Sequence, residues 1–139
     1  MILPPATLGM LGGGQLGRYF VMAAHRLGYK VVVLDPDPTS IAGAAADHHI
    51  VDTGALVELA SYCEAISCEF ENVPAATLAL LEKQKPVRPG ASAVRICQDR
   101  REEKAFLRGA DIPVAPYLAL LPEEPIPAQA SELLPAILK

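Results

Sequence analysis

Gly12-Gly13-Gly14-Gln15-Leu16-Gly17 restricts the fold of this chain more than any other stretch. Thr7 to Leu11, just before it, reads as a short buried strand. From Gln15 the apolar period becomes helical, with Leu16, Phe20, Ala24 and Leu27 on one stripe and Gly28 as the stop. A strand that turns on glycines straight into a helix is the opening of a parallel βαβ unit, and the pattern G-x-G-x-x-G gains weight in that context. Glycine has no Cβ and tolerates positive φ, so the backbone there can approach a ligand closely. The helix that follows points free amides and the positive end of its dipole the same way, which suits a phosphate. The competing reading is that the glycines only let the helix pack tightly on the strand.

Strand and helix go on alternating. Lys30 to Leu34 holds Val31-Val32-Val33, a β-branched run suited to a strand covered on both faces, and Asp35-Pro36-Asp37-Pro38 breaks it. Ile41 to Ala46 reads as a short helix and His49 to Val51 as a third strand. Ala55 to Tyr62 is a helix with Leu56, Leu59 and Ala60 inward, and Ala65 to Cys68 is a fourth strand. Ala75 to Lys83 is helical, and Pro86 to Pro89 is a brief extended piece. This order predicts an α/β fold, a Rossmann-like parallel sheet with right-handed crossovers and helices on both faces. Ala91 to Cys97 and Asp99 to Leu107 read as two further helices. Beyond Gly109 come six of the 13 prolines, so the tail is expected to be a linker or edge segments. Pro135 to Lys139 resembles a strand just starting, which suggests a truncated chain. The boundary between a first domain, 1–90, and the remainder, 91–139, is placed there.

Composition narrows the function. The net charge is -4 and the 12 basic residues are scattered, against a nucleic-acid surface. No apolar stretch is long enough to span a bilayer, and Met1 to Thr7 lacks the features of a signal peptide. Cys63, Cys68 and Cys97 are odd in number and lack C-x-x-C spacing, so they read as reduced core residues of a cytoplasmic protein without a metal. His25, His48 and His49 show no ligand spacing with them.

Two acidic regions bear on which phosphate is bound. Asp35, ending the second strand, stands where an acid holds the ribose of NAD in dinucleotide-binding folds, and Asp-Pro-Asp-Pro is equally good turn chemistry. Glu69-Phe70-Glu71-Asn72 ends the fourth strand and brings two acids to the crevice of the glycine turn. Three readings stand at this point: a domain that binds some other phosphorylated ligand, the NAD-binding module of an oxidoreductase, or a non-catalytic α/β interaction domain.

Five segments in order then carry a resemblance: Leu11 to Arg18, Leu34 to Asp37, Cys68 to Pro74, Gln98 to Lys104 and Ile112 to Pro116. Together they resemble the 5-(carboxyamino)imidazole ribonucleotide synthases, ATP-grasp ligases of purine biosynthesis, over essentially the whole chain. The resemblance implies a pre-ATP-grasp domain followed by the start of an ATP-grasp domain, and a homodimer in the full-length enzyme. It implies carboxylation of 5-aminoimidazole ribonucleotide with bicarbonate and ATP. Carried onto this sequence, Gly14, Gln15 and Leu16 would sit at the 5′-phosphate and ribose. Glu69 would accept the ribose hydroxyls, with Glu71 the second choice, and Arg100 and Lys139 would contact ATP. Most of the ATP and magnesium contacts of such enzymes, and the catalytic residues, belong to segments that do not occur here, so this chain alone is expected to be inactive.

Overall fold

Val31, Val32 and Val33 show why the sheet forms. In the computed structural model, which describes every residue except Asp52, Thr53, Pro122, Leu138 and Lys139, all three are at most 3% exposed. Alternate side chains of a strand point to opposite faces. Val31 and Val33 therefore join Met10, Val21, Ala24 and Ala42 in one core layer, while Val32 and Leu34 join Leu59, Ile66, Leu78 and Val94 in the other. A strand apolar on both sides must be covered on both sides. Each such valine or leucine contributes about 1.5–3 kcal/mol of burial.

The elements of the sheet are β1 (Thr7–Leu11), β2 (Lys30–Leu34), β3 (His48–Ile50) and β4 (Ala65–Cys68), in the order β3-β2-β1-β4. All pairings are parallel, with Leu8 opposite Val31 and Ala65, and Leu11 opposite Leu34 and Cys68. Val87 adds a parallel bridge to Ile66 outside these strands. The α/β parallel architecture expected from the sequence is thus present. Helix α1 (Gln15–Arg26) links β1 to β2, and a single 3-10 turn, Gly43–Ala45, replaces the short helix expected before β3. Helix α2 (Leu56–Tyr62) then carries the chain to the far side of β1. The connections leave β1 in opposite directions, so the loops at the carboxyl ends of β1 and β4 part and leave a crevice.

The ends of α1 follow from local chemistry. Gly28 takes φ 85°, and the Tyr29 amide reaches back to the Ala24 carbonyl while that of Gly28 reaches His25, the Schellman closure that a glycine after a helix favours. The buried stripe differs from the one expected. Gly17, Val21 and Ala24 face the sheet, whereas Leu16 and Leu27 are 62% and 68% exposed. Gly17 decides this: a Cβ there would stand 2.7 Å from the Gly12 carbonyl oxygen, so the helix lays its smallest residue on the turn.

Helices α3 (Ala75–Glu82) and α4 (Ala91–Gln98) follow. Ala91 and Val94 are buried in the same core as Leu78 and Leu81, so the first compact unit is Met1–Gln98, eight residues longer than the expected first domain. The second unit, Asp99–Lys139, holds α5 (Arg100–Gly109) and a 3-10 segment, Ala128–Leu133, neither with a buried residue. Asp99 caps α5 by accepting the Arg101 amide, and the Arg101 guanidinium holds its carboxyl down to about 2. The Arg108 guanidinium lies 4.7 Å from the centre of the Tyr117 ring. Pro135 to Ile137 form no strand.

Candidate functional site

The crevice is built by β1, β2 and β4 each ending at the same level. Gly12 leaves β1 with φ 106°, a conformation that only glycine adopts readily. Its amide donates to the Leu34 carbonyl at 3.0 Å, which ties the turn to the end of β2. Gly13 is held from both sides. Its amide donates to Asp35 Oδ2 at 2.7 Å, and its carbonyl accepts the Ala42 amide at 2.9 Å. A Cβ at Gly13 would meet Ser40 at 2.5 Å, so the loop after β2 closes over this residue.

Asp35 bridges two backbone segments. While Oδ2 takes the Gly13 amide, Oδ1 takes the Asp37 amide at 2.9 Å. Asp37 repeats the device by accepting the Thr39 amide and hydroxyl, which keeps its carboxyl below the usual carboxylate range. The Asp-Pro-Asp-Pro segment is therefore a chain of side-chain-closed turns. The NAD reading asks Asp35 to hold a ribose; here its two oxygens shape the turn, one on the Gly13 amide and one on the Asp37 amide.

Glu69 approaches from the other side. It is the first residue after β4, and its own amide donates to the Leu11 carbonyl at 2.8 Å. Its carboxylate enters the glycine turn, where Oε2 accepts the Gly14 amide at 2.6 Å and Oε1 the Leu16 amide at 3.2 Å. Gly14 is the N-cap of α1 and offers no side chain of its own. Two donors at the helix start, the Gly14 and Leu16 amides, are thus met by a carboxylate 55 and 53 residues away, with charge favourable to the helix dipole. The structure brings together Gly14, Leu16 and Glu69 as expected, with Gln15 exposed between them. Glu71 is exposed; its main-chain carbonyl accepts Gln98 Nε2 at 2.7 Å, and it lines, with Glu69, Cys68 and Cys97, a cleft of about 270 Å³ against α4.

A larger cleft of about 340 Å³ opens at the carboxyl ends of β1 and β2. Leu11, Leu34, Val73 and Phe70 are among the apolar residues of its wall, with Asp35, Asn72 and Thr77 as polar groups. Phe70 and Asn72 lie in the segment singled out for its acids. Their contribution to the wall depends on how the loop folds back, which no local pattern reveals.

The remaining expected residues divide. Arg100 lies in the second unit, exposed, its guanidinium paired with Glu103 one helical turn on. Lys139 lies outside the described residues. Among the described residues no cluster of three or more His, Cys, Asp or Glu is arranged for a metal. No helix among them is long and apolar enough to cross a membrane. Of the cysteines, Cys63 is buried and its thiol is pushed up to about 12 by burial. Cys97 is exposed, contrary to the expectation of a core residue.

Residues 5–98 match the ribonucleotide synthetase preATP-grasp domain family. The N5-carboxyaminoimidazole ribonucleotide synthase of Brucella melitensis is 40% identical over 134 residues, 94% of this chain and 37% of that protein. The chain thus spans little more than a third of such relatives. A crystal structure of the Staphylococcus aureus N5-carboxyaminoimidazole synthetase with ADP superimposes with a TM-score of 0.80 at 36% identity, over 86% of this chain and 34% of that one. The Aspergillus clavatus enzyme, crystallised with ADP and 5-aminoimidazole ribonucleotide, gives a TM-score of 0.68 at 28% identity, over 80% of this chain and 31% of that one. The NAD reading finds no support in these likenesses.

Proposed function

The chain belongs to the ribonucleotide synthetase preATP-grasp family, and on that premise we propose that its first unit binds 5-aminoimidazole ribonucleotide for an ATP-dependent carboxylating ligase of purine biosynthesis. The observation that carries this reading is the Glu69 carboxylate, held at the end of β4 by the Gly14 and Leu16 amides. A carboxylate is an acceptor with about four lone-pair sites, so two backbone amides leave capacity for a pair of vicinal hydroxyls. In this reading the ribose hydroxyls donate to Glu69, with Glu71 as a second acceptor. Gly14, Gln15 and Leu16 form the base of this site at the 5′-phosphate and ribose end of the ligand, beneath the carboxylate.

Bicarbonate is the proposed co-substrate, and residues after Gln98 lead into the ATP-grasp domain. There Arg100 and Lys139 supply cationic contacts to ATP, since guanidinium and ammonium groups suit phosphate oxygens. Magnesium, which neutralises triphosphate charge, is assigned no site among the described residues, and the carboxylation chemistry is assigned to the remainder of such an enzyme. We propose a homodimer for the full-length enzyme and a cytoplasmic setting for it. The role of this chain is to hold and orient the ribonucleotide.

Calorimetric titration of 5-aminoimidazole ribonucleotide into the chain and its Glu69→Ala variant tests this. Removing a charged acceptor should weaken binding by about 1.5–3 kcal/mol, roughly ten- to a hundred-fold. No binding to the wild-type chain, or equal binding to both, would refute the assignment.

A further inference from the structure

The pattern G-x-G-x-x-G names three glycines, Gly12, Gly14 and Gly17, and each of them faces Glu69. A Cβ at Gly12 would stand 2.9 Å from Glu69 Cβ. One at Gly17 would stand 3.0 Å from Oε2, and one at Gly14 would collide with Oε1. Gly13, which the pattern leaves unspecified, faces Ser40 and Asp35 instead. Four amides of the turn have acceptors as well: Leu34 for Gly12, Asp35 for Gly13, and Glu69 for both Gly14 and Leu16. The space that glycines leave in this turn is filled by a side chain of the protein.

We propose that the glycine turn is the seat of Glu69: Gly12, Gly14 and Gly17 are positioning residues that fix its carboxylate, and the turn serves the ribonucleotide through Glu69 rather than by giving the Gly14 and Leu16 amides to its phosphate. This rests on the ribonucleotide reading above. The physical argument is charge and room. A phosphate brought to the same two amides would meet an ionised carboxylate already hydrogen-bonded there, like charge against like, and would have to expel it. Held in place, the carboxylate keeps one geometry for its remaining lone pairs, which is what orientation of a pair of hydroxyls requires. The ligand phosphate then takes its donors from groups other than these two amides.

Gly14→Ala separates the two roles. Gly14 has φ -81°, which alanine adopts without strain, and the clash is with the movable end of a side chain. The variant should therefore fold and displace the carboxylate. In a double-mutant cycle on 5-aminoimidazole ribonucleotide binding, Gly14→Ala should weaken affinity several-fold, and Glu69→Ala about ten- to a hundred-fold. The double variant should bind no worse than Glu69→Ala alone. Without ligand, the Leu16 amide resonance should move in both single variants, while each still unfolds cooperatively with a melting temperature lowered only as far as a lost helix cap requires. Losses that multiply in the double variant would overturn the proposal, because the turn would then contact the ligand on its own account. Unchanged affinity in Glu69→Ala would overturn the ribonucleotide reading itself, and this inference with it.

Discussion

The loops after β2 and β4 each deliver a carboxylate to the same glycine turn, and they use it differently. Asp35 spends both oxygens on backbone, one on Gly13 and one on Asp37, and is locked into a turn that Ser40 and His49 brace, His49 Nε2 lying 3.2 Å from the Asp35 carbonyl. Glu69 spends its oxygens on two amides of one helix start, and each acid lines a cleft, Asp35 the one of about 340 Å³ and Glu69 the one of about 270 Å³ against α4. Side chain length is the difference. The short Asp joins the glycine turn to the residues that follow it, whereas the longer Glu reaches the first turn of α1. On the proposed reading the acid at the end of β2 ties two loops together, and the acid at the end of β4 meets the ribonucleotide.

The contrast predicts an exchange of effects. Glu69→Ala should give the largest change in ribonucleotide affinity, about 1.5–3 kcal/mol, and cost stability only about as much as a lost helix cap, about 0.5–2 kcal/mol. Asp35→Ala should reverse this: it frees the buried Gly13 amide, at a cost of about 1–3 kcal/mol in denaturant unfolding, with a smaller loss of affinity that Asp35→Asn partly restores. If Asp35→Ala lost more affinity than Glu69→Ala, the assignment of roles would be inverted. The smallest effect expected is none: NADH should show no saturable binding at about millimolar concentration, because Asp35 acts here as the acid that closes the turn on the Gly13 and Asp37 amides. Saturable binding abolished by Asp35→Ala would break the comparison outright.

Much of this was legible in local sequence. The glycine turn, the Val31-Val32-Val33 run and the Asp-Pro segment each act through neighbours in the chain, and each is found where it was expected. The stripe of α1 was misplaced because hydrophobicity favours Leu16 and Leu27, while packing on the turn demands Gly17. Helix α4 was assigned to the tail, since nothing local shows that Val94 completes a core begun by Val32 and Ile66. Truncation sharpens that point: a chain ending at Gln98 should unfold as the whole chain does. One ending at Pro89 should lose about 2–4 kcal/mol, the burial of Ala91 and Val94 together. The contact of Glu69 with Gly14 spans 55 residues; its place at the end of the fourth strand pointed to the pair Glu69 and Glu71, and family resemblance ranked Glu69 first.

The central claim is that Glu69 holds the ribose hydroxyls, and the most direct measurement varies the ligand rather than the protein. Affinities of the wild-type chain and Glu69→Ala are compared for 5-aminoimidazole ribonucleotide and for its 2′,3′-dideoxy analogue by calorimetric titration. The account predicts that the analogue binds the wild type about ten- to a hundred-fold more weakly than the natural ribonucleotide does, and binds both proteins alike, so that loss of the carboxylate and loss of the hydroxyls are one loss. Equal penalties for Glu69→Ala with either ligand would contradict it.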